Sequence, residues 1–174
     1  MDNLESPLPV TFSGQGVFLR DARDDDLAFM QDVFAESRQA EMSASGWRPE
    51  MIAAFLADQF RLQTLHYRNH YLGALWLIVE VGGEPAGRVV LFDSEEETRV
   101  VDIALLARFR GAGLGTAVMK AVQARALSRA TTLVSLHVEL HNPARRLYGR
   151  LGFSECGRCS DRMRMEWRTQ AKMA

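Results

Sequence analysis

Hydrophobic and polar positions along the chain change their period several times, and each change marks a boundary between elements. VFLRDA, residues 17 to 22, reads as a short first strand that stops at Arg23-Asp24-Asp25-Asp26. An Asp there caps a following helix, and the neighbouring carboxylates favour its positive end. LAFMQDVFAESR then places Leu27, Met30, Val33 and Phe34 at helical spacing. A loop with Ser43, Ser45 and Gly46 follows, and Pro49 suits the first turn of a longer helix through MIAAFLADQFRLQTL, with Phe55 and Phe60 expected to pack it on a sheet.

From Ala74 the pattern becomes that of strands. LWLIVEV and AGRVVLF flank Gly82-Gly83, a dipeptide suited to a tight hairpin turn. The acidic turn DSEEET leads to RVVDIALL, residues 99 to 106. Beyond it lie a glycine-rich stretch, a helix with Leu114, Ala117, Val118, Ala121 and Val122 on one face, the strand LVSLHVEL, the short helix NPARRLYGRL and the alternating strand RMRMEW. The order β-α-α-β-β-β-α-β-α-β predicts an α+β fold with antiparallel hairpins first and one βα crossover late.

Composition narrows the function classes. The 174 residues, 47% hydrophobic and 25% charged, suit one domain over residues 1–174, with 1–14 expected as a flexible tail. A net charge of −1 and a pI near 6.4 give no broad basic surface, so nucleic acid is not an expected partner. No apolar run is long enough for a bilayer, and MDNLESPLPVTFSGQG lacks a basic segment followed by an apolar one. The expectation is a cytoplasmic protein without a membrane partner. Cys156 and Cys159 form a C-x-x-C with no second cysteine pair, and are read as ordinary cysteines.

The chemistry concentrates in RGAGLGT, residues 110 to 116. Three glycines at a strand-to-helix junction free backbone N–H groups and admit a phosphate to the positive end of a helix. No lysine follows them as a P-loop requires, and a dinucleotide fingerprint would need Gly or Ala where Thr116 or Val118 stands. In LVSLHVEL, alternation sends Val134, Leu136, Val138 and Leu140 to one face, and Ser135, His137, Glu139 and His141 to the other. No metal is expected from this row, because same-face positions on one strand lie about 7 Å apart. His66 and His70 have i, i+4 spacing without the Glu of H-E-x-x-H, and read as a surface pair.

IALLARFRGAGLGTAVM resembles the acetyl-CoA-binding motif of the GNAT superfamily of N-acetyltransferases, in which R/Q-x-x-G-x-G/A follows the fourth strand; Arg110, Gly113 and Gly115 fill its defining positions. NPARRLYGRLGF, residues 142 to 153, resembles the family's second motif, and the likeness runs from about Val17 to Trp167. It implies a GNAT-like, mainly antiparallel central sheet with helices on both faces. It further implies that the fourth and fifth strands splay, so that pantetheine lies along the backbone of Ile103, Ala104 and Leu105. The pyrophosphate is then expected on the N–H groups of Gly111, Ala112, Gly113, Leu114, Gly115 and Thr116, beside Arg110, with Asn142 near the pantetheine or the amine.

The implied reaction is amine attack on a thioester. Deprotonating an alkyl amine of pKa near 10.4 at pH 7 costs about 4.6 kcal/mol, so a base helps. Tyr148 matches the family tyrosine that assists the departing thiolate. His137, Glu139 and Asp102 are the candidate bases, Asp102 having the alternative role of a hydrogen-bonded structural carboxylate. Two departures stand out: Ala107 replaces a common Pro, and Asn142 lies six residues before Tyr148 instead of seven, which leaves His141 a rival for the Asn position. The expected partners are acetyl-CoA and a primary amine, with no metal. A small-molecule acceptor is favoured over a protein N-terminus or lysine, and the segment from Arg38 to Tyr71, with Met42, Trp47, Met51, Phe55 and Tyr67, is expected to shape its pocket. A non-catalytic acyl-CoA-binding or regulatory module and a nucleotide-dependent enzyme are the alternatives. The oligomeric state stays open, a homodimer included.

Overall fold

A computed structural model describes residues 8–12 and 15–169. Among them the chain forms the strands β1 (Leu8–Phe12), β2 (Gln15–Asp21), β3 (Leu75–Val81), β4 (Glu84–Asp93), β5 (Glu97–Leu105), β6 (Leu133–Glu139), β7 (Ser154–Cys159) and β8 (Arg162–Arg168). The helices are α1 (Leu27–Ser43), α2 (Pro49–His70), α3 (Leu114–Ser128) and α4 (Ala144–Arg150). One sheet holds all eight strands in the order β1-β2-β3-β4-β5-β6-β8-β7. Its neighbours are antiparallel except β5 and β6, which the α3 crossover makes parallel.

Strand alternation divides the core between the two faces. On β3, Ile78 meets Met30 and Phe34 of α1 and Leu56 and Phe60 of α2. Leu77 and Val79 point the other way, into a larger core with Leu114, Val118 and Val122 of α3 and Tyr148 of α4. The α+β class, the helices on both faces and the late crossover are as expected. Pro49 does stand in the first turn of α2, where its missing N–H leaves no bond unmade.

Several local expectations are corrected. The first fourteen residues are not all tail, since Leu8–Phe12 pairs with Gln15–Leu19 of β2; residues 1–7, 13 and 14 lie outside the described ones. Pro9 hid this strand, but an edge strand tolerates the absent N–H. β7 was also missed: all six of its residues are exposed, so no burial alternation signals it, and Cys156 sits in a bulge of its pairing with β8. Asp26 does not cap from in front of a helix. It reaches back from a single 3-10 turn to accept the Arg23 N–H at 2.7 Å, while Arg20 donates to both its oxygens. Phe60 is buried, but Phe55 is 38% exposed and rests edge-on against Trp47.

Candidate active site

The parallel pairing of β5 with β6 lasts four residues, from Glu97 opposite Leu133 to Val100 opposite Leu136. Past that point the strands separate. β5 stays paired with β4 as far as Leu105 opposite Gly87, and β6 stays paired with β8 as far as Glu139 opposite Arg162. The facing edges of Val101–Leu105 and His137–Glu139 are left without a ladder. A bulge lies at the fork's closed end: Val90 faces Asp102 and Leu91 faces Val100, so Val101 is an extra residue. A bulge bends and twists its strand, which turns β5 away from β6 at this place. Ile103, Ala104 and Leu105 therefore stand on the open edge, half-buried; the ladder turns the backbone groups of Ala104 toward β4 and leaves those of Ile103 and the Leu105 N–H facing the gap.

The open end of the fork runs into the glycine-rich turn. Gly111 and Gly113 have φ of +79° and +93°, a left-handed backbone that strains any side chain, and Gly113 is the N-cap of α3. Gly115 serves packing instead, since a Cβ there would come 3.2 Å from Leu147 Cδ2. No side chain caps the helix, and the first bond onto its start runs from Ala117 N–H to Gly113 O. Among the described residues, the N–H groups of residues 111–116 (Gly111, Ala112, Gly113, Leu114, Gly115 and Thr116) thus find no protein acceptor. Six unpaired donors at the positive end of a helix form a cradle for an anion. Arg110 instead turns back: its Nε donates to Leu105 O at 2.7 Å, and its Nη2 lies 3.9 Å from Glu36 Oε1. Ala107, lacking the proline ring, keeps an N–H that donates to the same Glu36 oxygen.

The titratable candidates divide by position. Tyr148 on α4 is 5% exposed and packs on Phe153; burial, then the charge of Asp102, pushes its phenol up to about 12. Its hydroxyl has no hydrogen-bond partner among the described residues. Asp102, just past the bulge, is held by Arg88, whose Nε lies 2.9 Å from Oδ2 without hydrogen-bond alignment. Arg88 is itself buried, donates to Gln63 Oε1 at 2.8 Å and lies over the rings of Phe34 and Phe60. The charge of Asp102 also reaches Tyr67 of α2, whose phenol burial and that carboxylate raise to about 12. The charge of Asp102 therefore acts on both Tyr67 and Tyr148.

His137 and Glu139 are placed differently. Arg99 Nη2 donates to His137 Nδ1 at 2.7 Å, and Arg has no acceptor, so the ring accepts at Nδ1 and carries its proton on Nε2. Burial, followed by the charges of Arg99, Arg164 and Arg162, lowers its pKa and keeps it neutral. In this state His137 offers a donor, not a base. Glu139 lies at the open end, with Oε1 3.5 Å from Arg38 Nη1. Asn142 starts α4: its Oδ1 accepts the Ala144 N–H at 2.9 Å, and it lines a groove of about 410 Å³ with His141, Arg145 and Glu155. Of the segment expected to shape an acceptor pocket, Tyr67 and Tyr71 reach the fork, whereas Trp47, Met51 and Phe55 are exposed.

Sequence reasoning missed Arg88 and Arg99 as site residues, and named Tyr67 only as part of the segment expected to shape the acceptor pocket. The available signal was a charge inside an apolar strand, Arg88 in AGRVVLF, which alternation sends to the α1–α2 face with Asp102. Cys156 and Cys159 are exposed free thiols. Among the described residues no three His, Cys, Asp or Glu side chains gather to hold a metal, and no helix is long and apolar enough to cross a membrane.

A forked sheet whose open edge leads to unpaired N–H groups at a helix start has the shape and donors that suit an extended, phosphate-bearing ligand. The family follows from the sequence match: the model of the Acetyltransferase (GNAT) family covers residues 32–153, and the chain belongs to that family. Solved structures share the fold. The PaiA N-acetyltransferase of Thermoplasma acidophilum, in complex with coenzyme A, aligns with a TM-score of 0.66 at 17% identity, over 88% of this chain and 99% of its own. Mycobacterium smegmatis RimJ, in complex with CoA-disulfide, aligns with a TM-score of 0.68 at 15% identity, over 97% and 89%. A GNAT family acetyltransferase from Elizabethkingia anophelis with acetyl-CoA bound gives 0.54 at 17%, over 60% and 82%. No curated protein matches the chain by sequence.

Proposed function

We propose that this chain is an acetyl-CoA-dependent N-acetyltransferase acting on a primary amine by direct attack in a ternary complex, with a small-molecule acceptor. One observation carries the reading: the unladdered edge of β5 continues into the six unpaired N–H groups of residues 111–116. Ile103 and Leu105 would hold the polar arm of the ligand, and the start of α3 its pyrophosphate. The acetyl end then falls beside Val101 and Asp102. CoA-bound relatives of the same fold support the choice of ligand.

Acetyl-CoA, when bound, supplies a thioester carbonyl open to an amine. Asp102 is the carboxylate assigned to draw a proton from the attacking nitrogen, because it stands just past the bulge, where the acetyl end would lie, whereas Glu139 is at the open end of the fork and His137 has its Nδ1 occupied. Asp102 is itself paired through Oδ2 with Arg88 Nε, 2.9 Å away, which orients it. Tyr148, with its phenol pushed up to about 12, is too weak an acid to protonate a thiolate outright. Against a thiol pKa near 8.5 the transfer is uphill by roughly 5 kcal/mol. Its part is to donate a hydrogen bond to the departing sulfur, whose proton comes in the end from the amine.

A thermal-shift titration with acetyl-CoA, CoA, ATP and NAD side by side tests this reading. A ligand that binds only the folded state stabilises it by about 2.7 kcal/mol at a hundred times its dissociation constant. The expected outcome is an upward shift with acetyl-CoA and CoA and none with ATP or NAD. Silence from both CoA species would remove the assignment.

A further inference from the structure

At the closed end of the fork, on the α1–α2 face, lies a cleft of about 130 Å³ between α2 and the strands. Its wall includes Tyr67 and Tyr71 of α2, Arg99 and Val101 of β5, His137 of β6 and Arg162 of β8. It is separate from the cradle of residues 111–116, which stands at the open end. A ligand arm running down β5 from that cradle would deliver its reactive end next to Val101, so this cleft is where the second substrate meets it.

The charge in the cleft is one-sided. Two guanidinium groups line it and no carboxylate does. Arg99 is only 20% exposed; it bonds His137, lies over the Tyr71 ring and reaches Glu97 only at 3.8 Å. Glu97 in turn lies 3.3 Å from Arg164. Arg162 is exposed and has no hydrogen bond or ion pair among the described residues. Its neighbour across the strands, Glu139, turns its carboxylate to Arg38. A largely buried guanidinium with one distant carboxylate, that of Arg99, beside an exposed one with no ion pair among the described residues, that of Arg162, suits a planar or tetrahedral oxyanion, bound through two parallel N–H bonds.

The opposite pole is Asp102. Its negative charge and the positive charge of Arg162 both act on Tyr67, one raising and one lowering its phenol. A molecule in the cleft thus meets cations in its lining, with the carboxylate of Asp102 outside that lining and just past the bulge at Val101. Resting on the acetyltransferase reading, we propose that the acceptor is a primary amine that also carries an anionic group, a carboxylate or a phosphate, held by Arg99 and Arg162 with its nitrogen toward Asp102. Diamines are poor ligands for such a cleft, because a second ammonium would face two guanidinium groups.

The test uses the full chain, acetyl-CoA and a matched set of acceptors, read by thiol release and by thermal shift. The set comprises an aminocarboxylate, its methyl ester, an aminoalkyl phosphate, a linear diamine and a short neutral peptide with a free N-terminus. One of the two anionic amines should exceed the ester by roughly tenfold or more in kcat/KM, the scale of a charge-assisted hydrogen bond. Whichever anion gives the larger preference names the group. Arg162→Gln, at an exposed strand end, should cut the ratio of anionic to ester kcat/KM by roughly tenfold. Arg99→Lys should keep more of that ratio than Arg99→Gln. Preference for the ester, diamine or peptide, or a ratio unchanged in Arg162→Gln, overturns the acceptor class while leaving acetyl transfer intact. Absence of both a shift with acetyl-CoA and thiol release overturns the acetyltransferase reading and the acceptor with it. If acetyl-CoA binds but no acceptor turns over, an anionic amine must stabilise the native chain more than Arg162→Gln, and equal shifts reject the proposal.

Discussion

In the proposed reaction Tyr148 and Asp102 have separable roles, and substitution of Tyr148 tests one of them. Within that reaction, Tyr148→Phe would remove a hydrogen bond to the departing sulfur and little else, because the ring keeps its packing on Phe153. Turnover should fall by about 10²-fold while affinity for acetyl-CoA stays nearly constant, which single-turnover kinetics and calorimetry would separate. Asp26 offers a test of stability. Its pKa is lowered mainly by the hydrogen bonds from Arg20, so its contribution is present above the ordinary carboxylate range and is lost as pH falls through the depressed folded value. Asp26→Asn should therefore lower Tm at pH 7 and flatten the loss of stability below about pH 4, where Asp takes up its proton. Tyr148 and Asp102 could be picked out from sequence because motif position and strand alternation name them. Arg88 and Arg99 could not, since their importance comes from contacts across more than one element: Arg88 with Met30, Gln63 and Asp102, and Arg99 with His137.

Among the elements, the start of α3 is the most exposed to test. Gly113→Glu forces a side chain onto a backbone with φ of +93° and sets a carboxylate beside six unpaired N–H groups. CoA binding should disappear in the thermal-shift titration, with a loss of about 1 kcal/mol in stability from the left-handed conformation. Binding that survives this change would place the pyrophosphate elsewhere. Most elements could be read from their periods. The bulge at Val101 could not, because a one-residue insertion in a ladder depends on the partner strand's register, and RVVDIALL carries no residue that announces it. β1 and β7 escaped for a related reason: both are edge strands, and neither has a sequence pattern that marks a buried face.

For the whole molecule, the decisive feature is that two groups of strands meet through four residue pairs, Glu97–Val100 against Leu133–Leu136. To one side lie β1 to β5 with α1 and α2, and to the other β6, β8 and β7 with α4; the α3 crossover joins them through the larger core. Beyond that short joint the sheet is split into two half-sheets, and a polar chain laid along β5 would act as a substitute strand between them. Amide hydrogen exchange should report it. In the free protein, the backbone amides of Val101–Leu105 and His137–Glu139 that point into the gap should exchange early, and CoA should slow both sets together although it lies along only one of them.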